Sequence, residues 1–341
     1  MDIKKYDYLL DDSRIAIRPP KKRGTSKLIV VGRKTGELID ASYSDLDKFM
    51  QSGDLLVMNN TKVIKARLIA KTESGSDREI LILEKHENDL DNHNFKVMYK
   101  RKIHSGQILK VDNVEIKVKQ LFDNGTAILS CDKNLYELSD EYGTVPLPPY
   151  LHRLADSDDI IRYQTVIAKN RGSVAAPTAT LNMTDDLLNK LKEKGVRIAE
   201  LTLHVGLGTF MPIRGEKLDE HKMHQEFFEI PDETSSLITS TKIQGGRVIA
   251  AGTTVTRALE YSADKINNFS HSISGEADIF IYPGYEFKII DGMLTNFHAP
   301  KSTVLMMAAA FCGWDNLMNS YTHALENNYK FLSYGDSMLI L

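Results

Sequence analysis

The chain has 341 residues, of which 42% are hydrophobic and 26% charged, and its formal net charge is −3 at pH 7. This composition is that of a globular protein with two domains or one large domain carrying an insertion, and it excludes a disordered chain. The two isolated cysteines, Cys131 and Cys312, argue against a disulfide framework or a thiolate zinc site, and the negative net charge excludes a general attraction to polyanions.

The N-terminal ten residues carry Lys4 and Lys5 and have no long apolar core, so no signal peptide is expected. The longest apolar run, residues 304–313, is too short to span a bilayer. A cytoplasmic location is therefore expected.

Three basic clusters could provide local contacts to nucleic-acid phosphates, or they could simply solvate the surface. Both interpretations stay open at this point. The clusters are Arg18, Lys21, Lys22, Arg23 and Lys27; Lys62, Lys65 and Arg67; and Lys100, Arg101 and Lys102.

Residues 67–147 have the pattern of short strands separated by turns. Apolar or alternating runs predict strands at 80–83, 95–99, 108–111, 114–118 and 127–129. Asp123, Asn124 and Gly125 predict a hairpin turn, because Asn-Gly readily adopts positive φ. The pattern favours a small barrel. The prolines at 146, 148 and 149 exclude a helix where the chain leaves this region.

The rest of the chain is typical of a mixed α/β domain. We predict buried strands at 247–251 and 277–282, a turn at 252–254, a helix at 255–262, and a second helix capped by Ser302 or Thr303. The fold class is therefore α/β: both ends of the chain, residues 1–65 and 151–341, form the main domain. An antiparallel β-barrel is inserted at residues 66–150.

Residues 172–179 (GSVAAPTA) and 201–210 (LTLHVGLGTF) are the first candidate site segments. Small side chains let the backbone approach a ligand closely. A predicted strand delivers His204 to Gly206 and Gly208, where it could face a ligand or be a satisfied core histidine. The third glycine of a dinucleotide fingerprint is missing, so nicotinamide binding has little support.

His221, His224 and Glu226 form a short imidazole and carboxylate cluster. It is a poor metal site because a third ligand and its supporting groups are unspecified, so no metal is expected. General acid–base chemistry suits these groups better, although surface histidines would have the same pattern.

Three later segments concentrate polar groups that make poor core material. Residues 252–254 lie between a strand and a helix containing Arg257, where free N–H groups could bind a carboxylate or phosphate. Residues 282–303 and 331–338 combine aromatic, amide, imidazole and ammonium groups. We expect the groups after residue 170, among them Ser173, His204, Thr253, Tyr285 and His298, to share one cleft.

Together with the N-terminal motifs, these segments resemble the S-adenosylmethionine:tRNA ribosyltransferase-isomerase family of queuosine biosynthesis. The resemblance extends over nearly the whole chain, and its matching stretches include 6–8, 53–61, 146–150, 163–166 and 333–336. The resemblance implies an α/β domain with an inserted β-barrel. It also implies transfer and isomerisation of the ribosyl moiety of S-adenosylmethionine onto 7-aminomethyl-7-deazaguanine in a tRNA anticodon loop, giving epoxyqueuosine, adenine and methionine. S-adenosylmethionine is then a co-substrate, tRNA the partner, and a monomer without membrane contact the expected state.

The resemblance also suggests roles for residues. The catalytic candidates are His204, His224, Glu226 and Asp336. The substrate-binding candidates are Ser173, Pro177, Thr178, Asn182, Gly206, Gly208, Thr253, Thr254, Arg257, Tyr282, Tyr285, Asn296, His298 and Lys301. Among these, Arg257 or the Gly252 turn could hold the methionine carboxylate, and the two tyrosines could stack on a base or face the sulfonium.

The chain departs from the family pattern at three positions. Thr180 and Asn182 stand where a glycine and a histidine are usual, and Ile17 stands where a glutamine is common. These departures leave two alternatives open, a non-catalytic RNA-binding descendant and a ribosyltransferase with a different acceptor.

Overall fold

The computed structural model describes residues 3–86, 92–206, 223–268 and 271–341. Its strands are β1 (Lys27–Val31), β2 (Leu38–Ser42), β3 (Leu55–Asn59), β4 (Thr61–Val63), β5 (Arg67–Lys71), β6 (Asp77–Ile82), β7 (Asn94–Tyr99), β8 (Ile108–Val111), β9 (Val114–Leu121), β10 (Thr126–Ser130), β11 (Asn170–Ser173), β12 (Arg197–Leu203), β13 (Glu226–Ile230), β14 (Val248–Ala251), β15 (Ile273–Ala277), β16 (Gly292–Asn296) and β17 (Ser337–Ile340). The α-helices are α1 (Leu46–Phe49), α2 (Leu135–Tyr142), α3 (Ser157–Arg162), α4 (Asp185–Glu193), α5 (Asp232–Ile243), α6 (Thr253–Tyr261), α7 (Ala263–Asn268), α8 (Thr303–Cys312) and α9 (Trp314–Glu326).

A mixed nine-stranded sheet forms the main domain, in the order β15-β13-β12-β3-β14-β16-β17-β1-β2. Its centre is parallel: β12 and β14 flank β3, and β16 follows β14. Every residue of β3, β14 and β16 is buried, as expected for strands covered on both faces. The mixed α/β prediction is confirmed.

Alternate residues of the central strands pack into two separate cores. Leu55 and Val57 face the layer formed by α5 to α9, whereas Leu56 and Met58 face α1 and α4. This alternation follows from the two-residue period of a strand, which sends successive side chains to opposite faces. The sheet is therefore the buried middle layer that fixes the positions of its strand ends.

Strands β5 to β10 close into a barrel, in the order β10-β7-β6-β5-β8-β9. Residues on β7, β8 and β9 alternate between exposed and buried, and the buried ones form a core of their own. Gly125 has φ of 79° in the turn before β10, as the Asn-Gly signal predicts. The inserted antiparallel barrel is confirmed; the limits 66–150 stay a prediction.

Two predictions of elements in the second half of the chain fail. The strand expected at 277–282 shares only Ala277 with β15, which ends there because its partner β13 begins at Glu226 opposite that residue. Residues 294–296, for which no strand is predicted, belong to the central strand β16. The predicted cap is confirmed, since the Ser302 side chain accepts from Leu305 N at 3.2 Å.

The parallel centre brings four strand ends to one edge of the sheet. Asn59, Leu203, Ala251 and Asn296 end β3, β12, β14 and β16 there. Gly252, with φ of 107°, turns the chain from β14 into α6, and a Cβ there would lie 3.4 Å from Ala179 Cβ. In open α/β sheets ligands bind outside this edge.

Candidate active site

A cleft of about 410 Å³ opens at the carboxyl edge of the central strands. Thr178, Thr253, Asn296 and His298 supply polar groups, and much of the remaining wall is apolar. The other lining residues are Leu10, Asp12, Ile15, Tyr150, Phe297, Ala299, Pro300, Ser302, Val304, Leu332 and Ser333. A cleft of this size and character is typical of a small-molecule site.

A narrow extension of about 40 Å³ continues the cleft toward the start of α6. Both spaces are lined by Thr178, Thr253, Asn296 and His298. The extension, but not the main cleft, is also lined by Pro177 and Thr254. Because the first N–H groups of a helix lack intrahelical partners, the α6 N-terminus offers donors and a positive dipole end to an anion. Six predicted substrate-binding residues thus meet in one place.

Asn296 brings an unsatisfied acceptor to this wall. Its side chain is 3% exposed, and its Oδ1 has no hydrogen-bond partner. The Nδ2 atom lies 3.4 Å from the carbonyl oxygen of Asp336. Turning the amide over would set Oδ1 against that carbonyl, so the hydrogen bond fixes Oδ1 as the free atom. A buried acceptor without a partner is costly and indicates a missing donor.

His298 is the imidazole of the cleft. Its Nε2 lies 2.9 Å from Thr295 Oγ1, and its carbonyl oxygen accepts from the Tyr8 hydroxyl. Burial disfavours the charged ring and lowers the pKa of His298 to about 3. The ring is therefore neutral at physiological pH and suited to hydrogen bonding.

A buried ion pair lies beside the first turn of α6. Arg257 Nη1 is 2.6 Å from Glu226 Oε2, and both side chains are more than nine-tenths buried. Glu226 Oε1 accepts from Gly206 N at 3.0 Å, and Arg257 Nη2 donates to the His224 carbonyl at 2.6 Å. Both charged residues line a small space of about 20 Å³ next to Thr253 and Thr254. The His224 side chain itself is exposed.

His204 does not line the cleft. It follows β12 and faces a separate cavity of about 540 Å³, together with Lys85, His86 and Arg171. Its Nδ1 is 2.8 Å from Thr61 Oγ1 and its ring stacks on Phe227. Burial, and then the positive charges of Lys85 and His86, lower the pKa of His204 to about 4. Successive residues at the end of β12 alternate in direction, so Val205 faces the cleft extension while His204 faces away.

Three other candidates hold the walls together instead of lining the cleft. Ser173 Oγ donates to Ala175 O at 2.7 Å and accepts from Val205 N at 2.8 Å. Asn182 Nδ2 donates to Gly335 O at 3.4 Å. Asp336 accepts from Lys27 N at 2.6 Å and Lys330 N at 2.7 Å, and burial raises its pKa.

The remaining candidates do not line the cleft either. Tyr285 donates to Glu260 Oε2 at 3.1 Å, and Tyr282 is 39% exposed beside Phe280. Lys301 forms an ion pair with Asp7 at 2.6 Å. Gly208 and His221 fall outside the described residues. The expectation that Ser173, His204 and Tyr285 share the cleft with Thr253 and His298 is therefore not met.

Thr180 and Asn182 fit the backbone that they occupy. Thr180 ends a 3-10 turn at Thr178–Thr180, and its hydroxyl donates to Pro177 O at 3.1 Å. A helical turn needs no glycine, so the substitution causes no backbone strain here. Ile17, the third departure, is 54% exposed.

The sequence interpretation missed several residues of the cleft wall. Leu10 and Ile15 come from the N-terminal segment, and Lys301 connects that segment to the end of β16 through Asp7. Tyr150 and Ser333 hydrogen bond to each other across the cleft wall. Both lie in motif stretches quoted above, which was the available signal. Nothing in the sequence marks Leu10 and Ile15, because long-range contacts place them.

The basic clusters mostly hold the protein together. Arg18 pairs with Asp156, and Arg23 donates to Gln164 O at 3.0 Å and Leu181 O at 2.9 Å. Lys65 donates to Asp140 O at 2.9 Å. Lys100 pairs with Glu79 at 3.0 Å. Those contacts give the cations structural partners.

The described ranges lack two features, a cluster of metal-binding side chains and a membrane-spanning helix. No group of three or more His, Cys, Asp or Glu side chains in these ranges is placed to hold a metal ion. None of the helices within the same ranges is both long and apolar enough to cross a membrane.

Comparison with known proteins identifies consistent relatives. The sequence model of a family described as "Queuosine biosynthesis protein" matches residues 3–340. Proteins named S-adenosylmethionine:tRNA ribosyltransferase-isomerase from Chlorobaculum parvum and Halothermothrix orenii are 52% and 45% identical, and each alignment covers 100% of both chains. The crystal structure of an S-adenosylmethionine tRNA ribosyltransferase from Thermotoga maritima is 33% identical, with a TM-score of 0.57, over 99% of this chain and 100% of that one.

Proposed function

Because this chain belongs to the queuosine biosynthesis family of S-adenosylmethionine:tRNA ribosyltransferase-isomerases, we propose that the cleft at the carboxyl ends of β14 and β16 is its catalytic centre. The enzyme is a transferase that moves and isomerises the ribosyl moiety of S-adenosylmethionine onto tRNA. The observation that carries the proposal is the convergence of Thr178, Thr253, Asn296 and His298 on one cleft.

The residues present fit S-adenosylmethionine. The 410 Å³ cleft has apolar walls for a flat purine and a buried acceptor, Asn296 Oδ1, without a partner. The narrow extension ends at Thr253 and Thr254, where the α6 N-terminus suits the methionine carboxylate. Arg257 lies one turn along the same helix and adds a positive charge, although Glu226 offsets much of it.

The acceptor is 7-aminomethyl-7-deazaguanine in a tRNA anticodon loop, and the products are epoxyqueuosine in tRNA, adenine and methionine. A base in such a loop is already largely unpaired, so extruding it costs little. The exposed carboxylate of Asp12 at the cleft rim suits an approaching aminomethyl group, which is cationic near neutral pH. The enzyme acts as a cytoplasmic monomer.

The reaction needs three proton movements. The sulfonium acidifies the adjacent ribose CH₂, from which a base removes a proton; the acceptor amine gives up a proton before it attacks; and the departing adenine takes one up. His204, His224, Glu226 and Asp336 remain the catalytic candidates, although none of them lines the cleft. Glu226 lines the small space next to Thr253 and Thr254, and His204 faces the separate cavity. His298 binds and orients as a neutral group, because an imidazole with a pKa of about 3 is a weak base.

Adenine release tests the proposal. The wild-type protein is incubated with S-adenosylmethionine and tRNA carrying the aminomethyl precursor, and free adenine is measured by chromatography. We expect adenine only with the precursor tRNA, and no release with tRNA that lacks the aminomethyl group. Absence of adenine in both reactions would support a non-catalytic RNA-binding protein, and release without precursor would indicate another acceptor.

Alanine variants of His204, His224, Glu226 and Asp336 assign the proton transfers. A variant that lacks a catalytic base should lose most of its adenine release and keep its affinity for S-adenosylmethionine. The substitution then affects the proton transfer and not the binding. Undiminished release by all four variants would contradict the catalytic assignments while leaving the location of the cleft intact.

A further inference from the structure

The unpartnered Oδ1 of Asn296 calls for a donor on the ligand. Asn296 lies in the wall shared by the main cleft and its narrow extension. Its Nδ2 lies 3.4 Å from the Asp336 carbonyl oxygen, and an amide nitrogen carries two N–H groups, so one donor is left for a ligand. The side chain therefore presents an acceptor and a donor next to each other.

The chemistry of the wall favours a neutral donor on a flat apolar body. Leu332, Val304 and Ile15 line the same cleft. Among the described residues that line the cleft and its extension, Asp12 alone carries a carboxylate, and it is exposed at the rim. A buried ammonium would need a carboxylate or several acceptors close to it, so the methionine ammonium is a poor match for Asn296.

We propose that the Asn296 amide selects the adenine of S-adenosylmethionine, with Oδ1 accepting from the exocyclic amino group and Nδ2 donating to ring N7. This inference rests on the proposed function. An asparagine amide matches this edge of adenine with two parallel hydrogen bonds. The adenine then lies in the main cleft, and the methionine carboxylate points to the α6 N-terminus.

Ligand preference tests the pairing without requiring turnover. S-adenosylhomocysteine and S-inosylhomocysteine are titrated into the wild-type protein by calorimetry. The inosyl compound replaces the amino donor by a carbonyl, which would face Asn296 Oδ1. We expect the wild type to prefer the adenosyl compound by roughly tenfold to a hundredfold. Equal affinities would overturn the inference.

Two leucine variants separate recognition from structural damage. Asn296→Leu should reduce the preference to near unity, because neither amide atom remains. Asn60→Leu is the matched control: Asn60 is also a buried asparagine and its Nδ2 also donates, to Glu200 Oε2 at 3.1 Å, but it does not line the cleft or its extension. It should keep the wild-type preference. A full preference in Asn296→Leu would overturn the pairing.

A third ligand covers the case in which Asn296→Leu does not fold. The 7-deaza analogue of S-adenosylhomocysteine lacks the N7 acceptor and should bind the wild type about tenfold more weakly. Undiminished affinity would overturn the N7 contact. Adenine release by the wild type separates a failure of the adenine pairing from a failure of the proposed function. Adenine release without a preference for the adenosyl ligand contradicts the pairing alone. No adenine release with precursor tRNA contradicts the proposed function.

Discussion

Gly172 lies in β11, where its backbone closely approaches His204 and Lys85. It has φ of 146°, and a Cβ there would lie 2.8 Å from His204 Nε2 and 2.9 Å from Lys85 Cβ. Gly172→Ala should lower the free energy of unfolding by about 1–3 kcal/mol, because the new methyl group displaces packed atoms. Urea unfolding measures the change.

Gly275→Ala is the matched control for this prediction. A Cβ at Gly275 would lie 3.6 Å from the Phe228 ring, an ordinary contact, so stability should stay within about 1 kcal/mol of the wild type. Equal stability of the two variants would show that the close approach at His204 is not needed.

His204 and His298 make stability depend on pH. Their folded pKa values are about 4 and about 3, below the ordinary value of 6.5, so the unfolded chain binds protons more readily. The neutral rings contribute fully to the free energy of unfolding above about pH 6.5. This contribution is lost as the pH falls toward 4 for His204 and toward 3 for His298. Urea midpoints at pH 7 and pH 5 should differ less in His204→Gln than in the wild type. Identical differences would contradict the buried neutral state of His204.

For single residues, the sequence indicates the chemistry of a side chain better than the direction in which that side chain points. The polar variety of residues 294–303 marks Asn296 and His298 correctly as poor core material that lines a cleft. The glycines beside His204 suggest a ligand-facing ring, but the alternation at the end of β12 sends the ring to another cavity. Which way a side chain points depends on the register of neighbouring strands, which a single sequence does not state.

The ion pair between Arg257 and Glu226 connects α6 to β13. Arg257→Met should lower the free energy of unfolding by about 3–5 kcal/mol, because it removes the guanidinium that balances the buried Glu226 carboxylate. Denaturant unfolding measures the loss. Adding Glu226→Gln should recover part of it, since the carboxylate that Arg257 balanced is then neutral.

Lys288→Met serves as the control for that ion pair. Lys288 pairs with Asp264 on the surface, where the two side chains are 52% and 84% exposed, so its removal should change stability little. Similar losses in the free energy of unfolding for Lys288→Met and Arg257→Met would mean that burial does not increase the cost of removing Arg257 from its ion pair.

Elements with a clear local pattern are predictable, and those defined by their neighbours are not. The barrel strands and the Asn-Gly turn follow from alternation and turn chemistry, and β14 follows from its apolar run. In contrast, β16 contains Thr295 and Asn296 and becomes a strand because β14 and β17 pair with it on both sides. The missed strand β16 and the misplaced strand at 277–282 have the same cause, since pairing partners set the limits of β15 and β16.

For the whole molecule, the sheet determines where the cleft forms. Thr178, Thr253, Asn296 and His298 come from three separate stretches of chain and meet because β14 and β16 are parallel neighbours. The sequence predicts the α/β domain with an inserted barrel, and the motifs predict the family. The contribution of Leu10 and Ile15 to the cleft could not be predicted, because it depends on contacts between distant ends of the chain.

Adenine release by a cleft-filling variant shows whether S-adenosylmethionine reacts in the cleft at the carboxyl ends of β14 and β16. Thr178 is half-buried in the wall of the cleft, so Thr178→Trp should place an indole in the space assigned to S-adenosylmethionine. With precursor tRNA, we expect adenine release from the wild type and a loss of at least about a hundredfold in the variant at an unchanged melting temperature, since a filled site cannot bind the substrate. Undiminished release by a folded Thr178→Trp protein would contradict it.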